Sequence, residues 1–461
     1  MRICTHSPEH VPRPTNDDPP SPSAYIDYIP TETLIDVMQL VVSDPDLPHN
    51  AFSAALRLSH VSRRFRFIAH GASELWTLTC PTFPLTLNQV ALWLDVLERS
   101  KPRLIDVVID VQVESLGGVQ LYETFLEEVI GHSDRWRKFE IKSTTWEPID
   151  LFLRQSQHLV LLPGMVELVL HHSEDPGRTD NWEHENPSPR FHNLLFGKDV
   201  VAPVLNVIKL GATYFNYSRM RSLAQDLVEL RIENHTYPRT SDVPETIIDL
   251  LRASQRLQVL ILTSLNVQFI TWPRHVELSC LRRLEFRGSH RSAMHLLSLL
   301  RVPALEALCL GSCRFAADPG PDMIPPTFAA DETMRFVIGF FVSPENARWC
   351  WRAKGLKELS LEYSQCLPRE VTRLLRLTIN VETFHMSCPD IFSVLTENPG
   401  ILPNLRHLVV NASVFYDPSN PYSAILANRP GITFSVKGVL TKDGALLYNT
   451  LKDTLDITLH V

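Results

Sequence analysis

One six-residue pattern recurs along most of the chain: apolar-x-x-apolar-x-apolar, usually with a proline or a polar turn before it. It reads "MVELVL" (Met165, Leu168, Leu170), "LNVIKL" (Leu205, Ile208, Leu210), "LVELRI" (Leu227, Leu230, Ile232) and "LQVLIL" (Leu257, Leu260, Leu262). It continues as "LRRLEF" from Leu281, "LEALCL" from Leu305, "LKELSL" from Leu356, "VETFHM" from Val381 and "LRHLVV" from Leu405. Weaker copies stand earlier, at "LIDVVI" (Leu104, Val107, Ile109) and "WRKFEI" (Trp136, Phe139, Ile141). The alternation inside each copy is that of a strand with one buried face. Runs such as "PETIIDLLRAS" and "SAMHLLSLLRV" between copies have helical periodicity. A chain built this way is expected to stack its units, each lending one strand and one returning segment to a shared core.

Successive copies start 32, 29, 40, 22, 30, 24, 24, 51, 25 and 24 residues apart. Most of these gaps lie near the leucine-rich-repeat period of about 20–29 residues. The expectation over 78–461 is an irregular leucine-rich-repeat-like solenoid with its strands on the concave face. Two stretches interrupt it: a polar, acidic one at 171–190 and a Pro-rich one at 313–351. Loops on repeat scaffolds often carry binding specificity, and they equally tolerate insertion. The strand positions between the repeat leucines, among them Glu167, Lys209, Glu229, Glu285, Glu306, Lys357 and Arg406, are expected to be solvated and open to a target.

The front of the chain has a different texture. Residues 1–24 hold six prolines and few large apolar groups, and are expected to form a disordered tail. From Tyr25, "YIDYIPTETLIDVMQLVV" places Leu34, Val37, Met38 and Val41 on one helical face, with Pro30 and Thr31 at its start. After a Pro-rich break, further helices are expected over about 51–61 and 62–69. In "LSHVSRRFRFIAHGASELW" (Leu58–Trp76), Leu58, Val61, Phe65 and Ile68 share a stripe that Arg63, Arg64 and Arg66 flank.

These two clusters resemble the F-box. "IPTETLIDVM" follows its opening pattern through Ile29, Pro30, Glu32, Leu34 and Val37; "LSHVSRRFRFIA" with Leu75-Trp76 follows its close. The form is similar to F-boxes found in large sets in mushroom-forming fungi. Ile29 stands where leucine is commoner, Phe65 where tryptophan is, and the first linker is longer and Pro-rich. The resemblance implies a three-helix F-box at 25–77, ahead of the repeats, in an α/β chain. It also implies a non-catalytic substrate receptor of a Skp–cullin–F-box ubiquitin ligase, with a Skp-type adaptor, through it a cullin, and an unknown target protein as partners. The adaptor-binding residues it implies are Ile29, Pro30, Leu34, Val37, Val61, Phe65 and Arg66. Pro30, Leu34 and Phe65 are expected to face the adaptor, Leu58 and Ile68 to be internal, and Trp76 to lock the helices to the first repeats. An F-box scaffold or sequestering protein outside a ligase fits the same residues.

Composition narrows the classes. The net charge is -8, from 44 basic and 52 acidic residues, which argues against nucleic acid as a partner, as does the small number of arginines at 63–66. The eight cysteines are scattered without a CxxC pair, as expected of reduced thiols in the cytoplasm or nucleus. The N-terminus lacks the apolar core of a signal peptide, and no apolar run approaches the roughly 18 residues of a membrane span. No nucleophile-elbow, P-loop, HExxH or GxGxxG motif occurs. His171, His172, His184 and His192, near Glu174, Asp175, Glu183 and Glu185, are too irregularly spaced for a metal site and read as a solvated loop. Cys309 reads as a small apolar strand residue. No cofactor or catalytic residue is expected.

Overall fold

The structure, a computed structural model, describes residues 28–42, 51–81, 83–100, 102–112, 119–172, 195–196, 200–211, 217–233, 243–265, 275–288, 296–297, 299–311, 355–362, 368–388, 390–412, 425, 428–429, 431–438, 445, 448 and 457–460. The expected disordered tail, the Pro-rich break, the 313–351 interruption and residues 173–190 of the first one lie outside the described residues.

Three helices open the described chain: α1 (Thr31–Val42), α2 (Ala51–Val61) and α3 (Arg63–Gly71). Helix α1 starts where Pro30 predicts, its carbonyl accepting from Leu34 N at 3.1 Å. Helix α3 has a serine N-cap: Ser62 Oγ accepts from Phe65 N at 3.1 Å, satisfying one of the first turn's unpartnered donors. Leu34, Met38, Ala55, Ile68 and Ala69 form the buried centre of this unit. A 3-10 turn, Ser73–Trp76, follows. The Trp76 ring is 1% exposed, and its Nε1 donates to Ala69 O at 2.7 Å.

Beyond Trp76 the chain is mixed α/β. Strands β1 (Leu78–Thr79), β2 (Ile105–Val111), β3 (Trp136–Ser143), β4 (Glu167–His172), β5 (Val207–Gly211), β6 (Glu229–Glu233) and β7 (Val259–Leu265) pair in chain order. The same sheet continues through β9 (Arg283–Gly288), β11 (Ala307–Gly311), β12 (Glu358–Glu362), β13 (Thr383–Met386), β14 (His407–Asn411), β15 (Thr433–Lys437) and β16 (Ile457–His460). Every pairing is parallel. Parallel neighbours need a crossover. Among the described residues, six helices supply crossovers: α4 (Leu87–Arg99), α5 (Val119–Gly131), α6 (Glu147–Gln155), α7 (Val243–Ala253), α8 (Pro368–Leu377) and α9 (Asp390–Glu397). The two-residue strands β8 (Val276–Glu277) and β10 (Leu300–Arg301) pair only with each other.

The recurring pattern explains the register. Its last two apolar positions are strand residues one pleat apart, and both point into the core. Val107, Phe139, Leu168, Ile208, Leu230, Leu260 and Leu284 stand in one row across the sheet, each at 0% exposure. Its first position fills the turn before the strand, as Met165, Leu205, Leu227 and Leu257 do, all at 0%. Aromatic rings bind strand to helix: Phe139 stacks on Phe152 of α6 with centroids 4.5 Å apart and meets Trp136 at 4.4 Å.

Two details depart from the sequence-based expectation. The pattern puts Leu104 at the first core position of its copy, yet it is 42% exposed and Ile105 is at 0%. The inward set of β2 runs unbroken through Ile105, Val107, Ile109 and Val111; the irregularity lies on β3, where Trp136 and Lys138 pair with the consecutive Ile105 and Asp106. The run at 292–302 was expected to be helical throughout; its end forms β10 instead.

Among the described residues, two buried arginines tie units together and form no ion pair. Arg135 reaches back to α4, donating to Leu97 O at 3.0 Å and Ser100 Oγ at 3.1 Å. Arg429 does the same at α9, donating to Asn398 O at 3.2 Å and Leu402 O at 3.4 Å. Each places a cation where a helix leaves carbonyls unpaired and its dipole is negative.

Candidate functional site

Two surfaces hold the residues singled out in the sequence. The first is the outer side of the N-terminal helices. A stripe at Val37, Leu40 and Val41 of α1 is 49%, 75% and 44% exposed, while Leu34 and Met38 on the other side of the helix are buried. Val61 and Phe67, at 59% and 81%, are the exposed large apolar residues at the α2–α3 end. Scattered exposed aliphatics are ordinary; a helical stripe of them beside a completed core is less so.

Of the seven residues implied by the resemblance, Pro30, Val37, Val61 and Arg66 are exposed. Ile29 and Phe65 are half-buried against the unit's own core. Leu34 is 3% exposed, which corrects its expected place on the outside: it packs among the three helices, because the α1 stripe is broad enough to have an inner and an outer edge. Leu40, Val41 and Phe67 were not among the expected contact residues. Ile68 at 4% is internal as expected, and Leu58 is half-buried against the core. Trp76 joins the two regions as expected: the Arg99 guanidinium of α4 lies 4.9 Å from its ring, and Phe52 bridges Trp76 and Trp93 with centroids at 6.4 and 4.4 Å.

The second surface is the face of the sheet away from the buried rows. Its charges pair with one another. Lys138 lies 2.6 Å from Glu140 and 3.7 Å from Glu167; Lys142 closes on the other oxygen of Glu140; Lys209 meets Glu167 at 2.7 Å. Further along, Glu285 takes Arg283 at 3.4 Å and Arg287 at 3.0 Å. Arg287 also reaches Glu362 at 3.0 Å, two strands away. It can do so because Gly311 stands between them: a Cβ there would sit 3.2 Å from both Arg287 Cγ and Glu362 Cβ. Just before the strands, Arg282, Glu306, Lys357, Glu382 and Arg406 alternate in sign across neighbouring units, with contacts of 3.3, 3.6 and 4.0 Å. All seven open-face residues named from the sequence therefore lie beside or on the strands, and each has an ion partner.

The electrostatics of this face are those of a scaffold. Burial pushes the Glu140 carboxyl up, but hydrogen bonds from Lys138 and Lys142 outweigh it and hold it below the usual carboxylate range. A hydrogen bond from His385, 3.4 Å away, likewise lowers Glu358. Carboxylates depressed in the folded state stabilise it above their unfolded pKa, near 4.3, and that contribution is lost as pH falls through the folded values. Stability in denaturant titrations should therefore decline below about pH 4, and Glu140→Gln should flatten that slope while costing on the order of 1–2 kcal/mol at neutral pH. An unchanged slope in the variant would remove Glu140 from this role. Burial, aided by nearby Glu362, pushes the Cys309 thiol up to about 11, so it is no nucleophile at neutral pH.

Among the described residues, no group of three or more histidines, cysteines or carboxylates could hold a metal ion, and no helix is long and apolar enough to cross a membrane. Comparison with known proteins found no matching family model and no matching curated protein.

Proposed function

We propose that the chain is an F-box protein serving as the substrate-recognition subunit of a Skp–cullin–F-box ubiquitin ligase. In this reading the N-terminal helices dock on a Skp-type adaptor, and the chain-ordered sheet is a leucine-rich-repeat-like solenoid that holds the target. One observation carries it: a small helical unit completes its own core with Leu34, Met38 and Ile68 and still exposes Val37, Leu40, Val41, Val61 and Phe67. A stable interface covers on the order of 1,600 Å² around aliphatic and aromatic anchors, which this face offers. The receptor needs no catalytic group, because it acts by holding target lysines near a ubiquitin-charged enzyme.

The test is co-purification with a Skp-type adaptor and a cullin. The combined variant Val37→Asp, Leu40→Asp and Phe67→Asp should keep its thermal midpoint, since all three side chains are exposed. It should lose adaptor binding by on the order of 100-fold or more, because carboxylates would be left unpaired at an apolar contact. Adaptor binding equal to that of the natural sequence would refute the assigned face. Adaptor binding without a cullin would point to a scaffold outside a ligase.

A further inference from the structure

The outward side of α8, remote in sequence from the N-terminal helices, carries Arg369, Arg373 and Arg376, all exposed, at i, i+4 and i+7. The inward side holds Val371, Leu374 and Leu375 at 0% exposure, so the helix is fixed and the arginines have one direction to face. This arrangement works against the helix. Like charges at i+4 and i+3 repel, and Arg369 in the first turn opposes the helix dipole, while Arg376 in the last turn complements it. The helix has one carboxylate, Glu370, against three arginines, which leaves it net positive. Among the described residues no acid forms an ion pair with any of the three arginines; Arg376 reaches only the Asn398 amide oxygen, at 3.5 Å. The basic residues of the sheet's open face, by contrast, are matched to acids across neighbouring strands. Arg63 and Arg66 of α3 are likewise exposed without an ion pair among the described residues, but on α8 three such groups line one face of a single fixed helix, where they can act together on something outside it.

We propose that the outer face of α8 is a docking site for an acidic polypeptide segment in extended conformation. The spacing suits it. The helix rises about 1.5 Å per residue, so the guanidinium groups follow one another at about 6 and 4.5 Å along the axis. Carboxylates on alternate residues of an extended chain lie about 6.6–6.8 Å apart. Each guanidinium fork can take a carboxylate through two parallel hydrogen bonds, which lysine cannot do. Nucleic acid fits less well, because the chain is net negative at -8 and α8 itself carries no aromatic residue to stack on a base. The site is independent of the proposed adaptor face, so either can fail without the other.

The test uses the full chain and a fluorescein-labelled dodecapeptide of alternating glutamate and serine, with a glutamine–serine peptide as control, read by anisotropy. The natural sequence should bind the acidic peptide at low salt, lose it at high salt, and ignore the control. Arg369→Gln, Arg373→Gln and Arg376→Gln combined should weaken binding by about tenfold or more. The thermal midpoint should stay or rise as repulsion is relieved. The corresponding triple lysine variant should keep the charge yet recover only part of the affinity. Equal binding by the glutamine variant, no binding by the natural sequence, a lowered midpoint in the variant, or tighter binding of a single-stranded oligonucleotide of matched charge would each overturn the proposal.

Discussion

Replacing Trp76 with alanine is expected to lower the stability of the protein by about 3–5 kcal/mol, the usual cost of deleting a fully buried tryptophan. Three separate contacts would go at once. The ring is 1% exposed, so its volume would be left as a cavity. The Nε1–Ala69 O bond at 2.7 Å ties the ring to the end of α3, and the Arg99 guanidinium 4.9 Å away ties it to α4. Trp76 is thus the joint between the helical unit and the first strand–helix pair, and its loss should loosen one from the other as well as lower the midpoint. Guanidinium titration with limited proteolysis would measure both. A variant within about 1 kcal/mol of the natural protein, with an unchanged cleavage pattern, would show that the joint lies elsewhere.

Leu34→Asp should be nearly as damaging, and for a different reason. The side chain is 3% exposed and surrounded by apolar groups of three short helices, so a carboxylate there would be buried without a partner or protonated at a cost of several kcal/mol. A unit of about fifty residues has little stability to lose. Amide hydrogen exchange should then show α1 to α3 unprotected while strands β3 to β7 keep their protection. Val37→Asp, three residues on but 49% exposed, should change stability by no more than about 0.5 kcal/mol. The contrast separates a folding defect from a binding defect. If Leu34→Asp left the exchange pattern untouched, the assignment of inner and outer edges on α1 would be wrong.

That pair also marks where the sequence stopped being informative. Hydrophobic spacing located α1 and its apolar side, but it cannot say which edge of a broad stripe meets sister helices. Spacing alone therefore puts Leu34 outside and gives no sign of Leu40, which the structure reverses. The strands were far more legible, because the pattern constrains three positions at once: one turn residue and two pleat residues facing the core. Where one of those positions is vacant the signal failed. Before β15 the turn position is Gly431, whose φ of 94° suits a turn that a leucine would not adopt, and Phe434 and Val436 alone did not stand out. Strands β8 and β10 are only two residues long. At β2 the two strand positions, Val107 and Ile109, face the core as the pattern predicts, and only its turn position fails, because Ile105 takes the core place expected of Leu104. The pairing of charges on the open sheet face was invisible for another reason: it depends on which strands adjoin, and Arg287 and Glu362 are 75 residues apart in the chain.

The order of the strands has a consequence for how the protein is made. In the main sheet every strand finds its earlier neighbour already synthesised, at most a few tens of residues upstream. A chain leaving the ribosome could therefore zip up from its first end without waiting for the last, each completed edge serving as the template for the next. Such growth leaves one sticky border exposed at a time, and that border advances with translation until synthesis ends.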